Sequence, residues 1–248
     1  MKNSAPTVLL GVTGSVAAFR TIDLASQLTK GGYLVDVVLT SGALQFVRPL
    51  SFEAVTHRSA YTDQSPGILA GRAIHIALAE RAGVVVVAPA TADLIGRHAC
   101  GLAQDLLTTL LLATEAPVLL APAMNTRMWR HPAVRDNVAL LERRGVRFVG
   151  PEAGLLSCGT EGPGRLWPVD QLYAKIEELV PRAAPLLDSR EREGKELAAL
   201  GQRPSSLPQE GDKSKERNEM ADKKKPVKKP AVRKTEKSSK KGPAAKKK

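Results

Sequence analysis

Four consecutive valines at positions 84–87 constrain the fold of this chain more than any other feature of its sequence. A strand with one face in water alternates apolar and polar side chains, whereas the run at 83–88 offers no polar face. Such a strand has to be covered on both sides, and helices that pack above and below a parallel sheet provide that cover. The run therefore predicts a parallel strand inside a layered α/β domain.

Other short apolar runs alternate with segments of helical spacing. Predicted strands cover residues 7–12, 34–40, 83–88, 117–121 and 146–149, and predicted helices cover 16–30, 101–114, 132–144 and 168–180. This alternation predicts a doubly wound, Rossmann-like or flavodoxin-like α/β fold, with a mostly parallel sheet in a three-layer α/β/α arrangement. Ligands of such folds bind outside the carboxyl ends of the strands, so the loops after positions 12, 39, 88 and 121 are the ones to examine.

The charge of the chain is unevenly distributed. Residues 1–180 have a net charge of +1, whereas residues 181–248 have a net charge of +11. We predict a folded domain over 1–180, a polar linker over 181–222 and a disordered lysine-rich tail over 223–248, because the tail has too few apolar residues to fold. A solvated tail is one interpretation, and weak, salt-dependent binding of nucleic acid or an acidic partner is the alternative.

The chain has two cysteines, Cys100 and Cys158, which argues against a disulfide framework and fits a reducing compartment. No charged and then apolar leader opens the sequence, and no apolar run reaches the roughly 18 residues of a membrane span. We therefore expect a cytoplasmic protein without a membrane segment. Cys100 is predicted to be a small buried residue inside a helix, whereas Cys158 falls in a polar, glycine-rich loop.

The loops after the first two predicted strands differ from a dinucleotide-binding motif. Gly11 and Gly14 open a helix, where free N–H groups favour an anion, but their spacing is GxxG and not GxGxxG. The second strand ends in Thr40 and Ser41 and lacks the acid that would hold an adenosine ribose. Hydroxyl groups suit a phosphate monoester, so these loops favour a mononucleotide over NAD. A tight turn that binds nothing is the alternative.

Five separated segments together resemble one family. They are GVTGSVAAFR (11–20), IHIALAE (74–80), APATADLIGR (88–97), APAMNTRMW (121–129) and GLLSCGTEGPGRL (154–166). Taken together, they resemble the homo-oligomeric flavin-containing cysteine decarboxylases, and within them the decarboxylase domain of bacterial phosphopantothenoylcysteine decarboxylase/synthetase. The likeness covers about residues 7–180.

The resemblance implies an FMN cofactor, no metal, and a specific set of site residues. FMN would contact Gly14, Ser15 and Val16, its phosphate would approach Thr40 and Ser41, and its ribityl chain and ring would lie beside Thr91, Ala92, Asp93, Leu94 and Ala123. The implied catalytic residues are His75, Asn125, which would bind the carboxylate to be lost, and Cys158, which would donate a proton. Leu155, Ser157 and Leu166 would join Asn125 in binding the substrate.

The same resemblance implies decarboxylation of 4′-phosphopantothenoylcysteine to 4′-phosphopantetheine in coenzyme A biosynthesis, through thiol oxidation, loss of CO₂ and reduction of an ene-thiol. It also implies trimers or dodecamers with shared sites. Nothing after residue 180 resembles the synthetase half, so we expect a separate synthetase chain to supply the substrate. The alternatives are a peptidyl-cysteine decarboxylase, against which Cys158 argues, and a non-catalytic regulatory flavoprotein, against which the combination of His75, Asn125 and Cys158 argues.

Overall fold

The computed structural model describes residues 5–180. In chain order the strands are β1 (Thr7–Val12), β2 (Leu34–Leu39), β3 (Ala60–Tyr61), β4 (Ile68–Leu69), β5 (Arg72–Ala73), β6 (Val84–Ala90), β7 (Val118–Pro122), β8 (Arg147–Phe148), β9 (Glu152–Leu155) and β10 (Glu161–Arg165). The α-helices are α1 (Arg20–Lys30), α2 (Pro49–Thr56), α3 (Ile74–Arg81), α4 (Ala92–Ala99), α5 (Leu106–Ala113), α6 (Thr126–Arg130), α7 (Pro132–Arg143) and α8 (Val169–Leu179). Short 3₁₀ turns occupy Val16–Phe19 and Ala43–Gln45.

Six strands form one sheet in the order β3-β2-β1-β6-β7-β8, and every neighbouring pair is parallel. The predicted doubly wound α/β fold is therefore confirmed. The strand order reverses between β1 and β6, because β1, β2 and β3 follow one another toward one edge of the sheet and β6, β7 and β8 follow one another toward the other edge. A crevice at this switch point is the usual ligand site of such sheets.

The four valines of β6 divide between two apolar layers. Val84 and Val86 pack in the layer that holds α1, α2 and α8, and Val85 and Val87 pack in the layer that holds α3, α4, α5 and α7. All four side chains are fully buried. The run of valines thus has the two-sided cover that its lack of a polar face requires.

A buried ion-pair cluster fastens α3 to the edge of the sheet. Asp36, on β2, is only 1% exposed, and its carboxylate lies 2.8 Å from Arg58 and 2.6 Å from Arg81. The Arg81 contact is ionic and lacks hydrogen-bond geometry, whereas Arg58 donates a hydrogen bond of 2.9 Å. Arg81 also lies over the ring of Tyr61 and donates to its hydroxyl. The end of α3 is therefore held by one carboxylate and one aromatic ring.

The structure corrects two sequence predictions in the middle of the chain. The helix predicted over 101–114 begins only at Leu106, where Asp105 forms a capping box with Thr108. The preceding helix, α4, was not predicted, and it stops before Gly101, which has a φ of +70°. Cys100 consequently lies just after α4 and is exposed, so the prediction of a buried cysteine inside a helix was wrong.

Several short elements were also not predicted. They include α2, α3, the edge strand β3, the hairpin β4–β5 and the hairpin β9–β10. The strand predicted over 146–149 shrinks to Arg147–Phe148. Among the helices of residues 5–180, none is both long and apolar enough to cross a bilayer. The predicted linker and lysine-rich tail lie outside the described residues.

Candidate functional site

The loops after β1 and β2 touch through their backbones. The Thr40 amide donates to the Val12 carbonyl over 3.1 Å, which places the start of the second loop against the end of β1. A Cβ atom built on Gly14 would lie 3.0 Å from the backbone of Gly42, so a side chain at position 14 would require that backbone to shift by a few tenths of an ångström. The contact favours glycine at this position, and it brings Ser41 beside the start of the first loop.

A second tie joins the loops that follow β1 and β6. Thr13, which is 2% exposed, donates its hydroxyl hydrogen to the Pro89 carbonyl over 2.7 Å and accepts from the Thr91 amide over 3.1 Å. Thr91 in turn caps α4 by accepting from the Leu94 amide. Three loops distant in sequence are thereby fixed at one edge of the sheet, at the switch point between β1 and β6.

These loops enclose the first of two neighbouring cavities, which we call the strand-end cavity. Its volume is about 370 Å³. It is lined by Thr13, Gly14, Thr40, Ser41, Gly42, Thr91, Ala92, Asp93, Leu94, Arg97, Asp105 and Met128. Residues with side-chain hydroxyls and the first turn of α4 both contribute to this lining. Together they offer hydrogen-bond donors to an anion.

Arg97 also lines the strand-end cavity, and its charge is paired there with two carboxylates. Its guanidinium lies 3.0 Å from the Asp93 carboxylate and 3.2 Å from the Asp105 carboxylate. Asp105 is at the same time the cap of α5, which fixes its position. Sequence analysis assigned no role to Arg97 or Asp105, although the Asp93–Arg97 spacing of four residues on a helix is a recognisable signal for an ion pair.

The second cavity lies between the first loop and the hairpin β9–β10, and we call it the hairpin cavity. Its volume is about 480 Å³. It is lined by Ser15, Val16, Ala17, Phe19, Arg20, Ala123, Met124, Asn125, Leu155, Leu156, Ser157, Cys158, Gly164, Arg165 and Leu166. Gly14 and Ser15 are consecutive but line different cavities, so the two cavities lie side by side along the loop after β1.

Asn125 is oriented by its role as a helix cap. Its side-chain oxygen accepts a hydrogen bond of 2.8 Å from the Arg127 amide at the start of α6. The oxygen is thus used by the backbone, and the NH₂ group is left to face the hairpin cavity. There it donates to the sulfur of Cys158 over 3.2 Å.

Cys158 lies at the tip of the hairpin β9–β10 and is exposed. Its sulfur lies 3.1 Å from the Thr160 hydroxyl and accepts from the Asn125 amide. Hydrogen bonds from the Thr160 side chain, then from the Thr160 backbone and from Asn125, lower the pKa of the Cys158 thiol below its usual value. The thiol can therefore release a proton more readily than an ordinary cysteine.

The hairpin is seated against the loop that carries Asn125. The Met124 amide donates to the Gly164 carbonyl over 3.0 Å. A Cβ atom on Gly164 would collide with the Met124 carbonyl oxygen, and one on Gly162 would lie 2.9 Å from Thr126. The sequence predicted a loop here, and the glycines instead allow a two-stranded hairpin to lie directly on the backbone beside Asn125.

His75 is the one predicted site residue that lines neither cavity. It lies in the first turn of α3 and is half-buried. Every other predicted residue lines one of the two cavities, so the predicted convergence of the loops after β1, β2, β6 and β7 is observed. The roles assigned to these residues, including the one assigned to His75, remain predictions.

Sequence analysis also missed several residues of the hairpin cavity. Phe19 and Arg20 stand on the wall formed by the first loop and the start of α1, and Arg165 stands on the hairpin. Phe19 is 58% exposed and lines this cavity. In the sequence, Phe19 stands in the segment 11–20 directly before a basic residue, and this position could have indicated a place in the site.

Comparison with known proteins identifies the family of the chain. The family model described as Flavoprotein matches residues 1–181. The "Coenzyme A biosynthesis bifunctional protein CoaBC" of Vibrio vulnificus is 44% identical over 181 residues, which are 73% of this chain and 45% of that protein. The protein of the same name from Bacillus subtilis is 45% identical over 163 residues, covering 64% and 39% of the two chains. The chain spans less than half the length of these curated relatives.

Solved structures give the same result. A "PPC decarboxylase" mutant complexed with pantothenoylaminoethenethiol is similar with a TM-score of 0.65 and 32% identity, covering 70% of this chain and 97% of that one. "The FMN binding protein AtHal3" has a TM-score of 0.63 and 31% identity, covering 71% and 96%. The family match, the identities and the shared fold confirm the resemblance found in the five motifs, and the chain belongs to the flavoprotein family.

Proposed function

We propose that the chain is an FMN-dependent decarboxylase that converts 4′-phosphopantothenoylcysteine to 4′-phosphopantetheine in coenzyme A biosynthesis. The observation that carries the proposal is the pairing of the Asn125 amide with the Cys158 thiol, 3.2 Å apart, in a cavity that adjoins a site suited to a phosphorylated cofactor. The relatives named above, a coenzyme A biosynthesis protein and a PPC decarboxylase, support the same activity.

The strand-end cavity fits FMN. The contact between Gly14 and Gly42 keeps side chains out of the cavity floor, and the hydroxyls of Thr40 and Ser41 suit a phosphate monoester. Thr91 and the small residue Ala92 leave space for a flat ring close to the backbone of α4. Bound there, FMN would supply the oxidation of the substrate thiol and the later return of a hydride.

Asn125 would hold the carboxylate that leaves as CO₂. Because its oxygen is occupied by the Arg127 amide, its NH₂ group is a donor of fixed orientation. A neutral donor binds the carboxylate without pairing its charge, and it therefore does not stabilise the ground state as a lysine would. Because Asn125 lies next to the hairpin, a carboxylate bound there would lie close to the sulfur of Cys158.

Cys158 would donate the proton that completes the product. The Thr160 hydroxyl, the Thr160 backbone and the Asn125 side-chain amide would all stabilise the thiolate that remains after the transfer, and their hydrogen bonds lower the pKa of the thiol. The hairpin also covers one side of the cavity, so the thiol reaches the substrate from that side. Opening and closing of such a segment controls access to many enzyme sites.

We also propose that the chain forms trimers or dodecamers and that His75 serves the hairpin cavity of a neighbouring copy. Its absence from the cavities of its own chain, within residues 5–180, supports that arrangement. A synthetase would supply the substrate, and a cytoplasmic location fits this pathway. The possible contacts of the lysine-rich tail remain predictions.

The test is a product analysis with purified protein. The wild type should be yellow, should contain FMN and should release CO₂ from 4′-phosphopantothenoylcysteine. Cys158→Ser should still release CO₂ but should yield a product that lacks one H₂ relative to 4′-phosphopantetheine, whereas Cys100→Ser, at the exposed position after α4, should behave as wild type. Mass spectrometry distinguishes the two products.

Three results would contradict the proposal. If the purified protein is colourless and does not bind FMN, it lacks the cofactor that the proposed reaction requires. Decarboxylation of a peptide with a C-terminal cysteine, but not of the phosphorylated substrate, would instead establish the peptidyl-cysteine activity. A protein that binds FMN and decarboxylates neither compound would favour the regulatory function.

A further inference from the structure

Three charged side chains line the strand-end cavity, and they form one connected set. Asp93 lies in the first turn of α4, Arg97 lies one turn further along the same helix, and Asp105 caps α5. The other lining residues are glycines, apolar residues or residues with a hydroxyl group. Within residues 5–180, Arg97 is therefore the only arginine or lysine that lines this cavity.

The guanidinium of Arg97 is shared between the two carboxylates. Its Nε atom donates to Oδ1 of Asp93 over 3.0 Å, and its Nη2 atom lies 3.0 Å from Oδ2 of the same residue. Its Nη1 atom donates to Oδ2 of Asp105 over 3.2 Å. All three nitrogens of the guanidinium thus face a carboxylate, and both oxygens of Asp93 face Arg97.

Asp105 fixes the other end of this arrangement. Its Oδ1 atom accepts from the amide and from the hydroxyl of Thr108, each over 2.7 Å, which leaves Oδ2 for Arg97. The Asp105 side chain is 14% exposed, whereas that of Asp93 is 67% exposed. The set therefore runs from a largely buried anchor to an exposed carboxylate, and Arg97 joins the two.

The charge of this set matters because the cofactor is an anion. A phosphate monoester such as that of FMN carries a charge of about −1.5 to −2 at pH 7. Two carboxylates without a cation would repel it, and salt screens such repulsion less in a partly buried cavity than on an open surface. With Arg97 the two carboxylates and one guanidinium sum to a charge of −1. Without it the charge would be −2.

We propose that Arg97 is a positioning residue of the cofactor site, which allows the strand-end cavity to bind an anionic flavin by pairing Asp93 and Asp105. This role rests on the proposed function, because it requires FMN to bind in this cavity. Arg97 acts through the two carboxylates, since its three nitrogens are already bound to them. An arginine that holds a phosphate directly would instead need its paired donors for the phosphate oxygens.

The test measures FMN binding by the purified holoproteins. Each protein is diluted, and the fluorescence that FMN regains on release gives the dissociation constant. We expect Arg97→Gln to weaken FMN binding by about 10- to 100-fold, because two carboxylates without a cation remain in the cavity. Lys175→Gln is the matched control, since it removes an ion pair on α8 that lies outside both cavities, and it should stay within about twofold of wild type.

Two further variants separate charge pairing from a structural or a direct role. Asp93→Asn/Arg97→Gln removes one charge of each sign, so the cavity keeps its wild-type charge and FMN binding should return to within about threefold of wild type. Arg97→Lys keeps the cation without the paired geometry and should weaken binding by less than about fivefold.

Three results would overturn the role of Arg97. One is equal FMN affinity of Arg97→Gln and wild type. Another is a double variant that binds FMN as weakly as Arg97→Gln, because Arg97 would then contact FMN itself or serve only the fold. The third is a wild type that binds no FMN, which would overturn the proposed function as well. If wild type binds FMN but decarboxylates neither compound, only the proposed reaction fails, and the dissociation constants still decide the role of Arg97.

Discussion

Substitution of Gly164 by alanine tests how closely the hairpin has to be seated. The new Cβ atom would lie well under 3.0 Å from the Met124 carbonyl oxygen and 3.2 Å from the Leu156 side chain. A normal carbon–oxygen contact is about 3.3 Å, so the hairpin has to move away by about 1 Å. Overpacking of this kind costs about 1–3 kcal/mol, and loss of the hydrogen bond from the Met124 amide adds about 1 kcal/mol.

We therefore expect Gly164→Ala to lose about 2–4 kcal/mol in free energy of unfolding, measured with urea. Because Cys158 moves with the hairpin, turnover should fall by about 100-fold even under conditions in which the variant is folded. Gly67→Ala is the matched control, since a Cβ atom at position 67 meets open space. Wild-type stability and turnover in Gly164→Ala would show that the hairpin is not held against the Met124 loop.

Two other changes probe the ion-pair cluster and the thiol. Asp36→Asn should lower the free energy of unfolding by about 3 kcal/mol, at the low end for a broken buried ion pair because both arginine partners remain about one-third exposed. In the same urea titration the exposed control Asp136→Asn should stay within about 0.5 kcal/mol of wild type, and equal effects of the two would contradict a buried cluster. Thr160→Val removes the main cause of the lowered Cys158 pKa. The rate of alkylation of Cys158 should therefore rise only at a higher pH than in the protein that keeps Thr160. Both proteins carry Cys100→Ser for this comparison. If the pH dependence of alkylation does not shift, Thr160 does not lower the pKa of Cys158.

The sheet and its ligand edge could be predicted because they depend on strong local patterns. The valines of β6 have no polar alternation, which allows only a strand covered on both faces. Once parallel strands are assigned, their loops have to meet at one edge, and this geometry alone predicts that Thr40 and Thr91 approach the same cavity.

The hairpin and the edge elements could not be predicted in the same way. Strand β10 consists of the residues EGPGR, which have little preference for a strand, and its position is set by contacts with Met124 and Thr126. The edge strand β3 has only two residues, too few for a periodic pattern. The region around Cys100 was misassigned because one helix was predicted from Gly101 onward, whereas α4 ends at Ala99 and α5 begins at Leu106, and Gly101, with a φ of +70°, lies in the break between them.

The two cavities are built largely from different parts of the chain. The loops that enclose the strand-end cavity grow from the central sheet, whereas much of the hairpin cavity comes from a single insertion between β8 and α8. Changes of hairpin sequence would therefore alter the walls of one cavity while the sheet edge that forms the other stays as it is. If the proposed roles hold, variation in this short segment would affect the substrate more than the phosphate end of the cofactor.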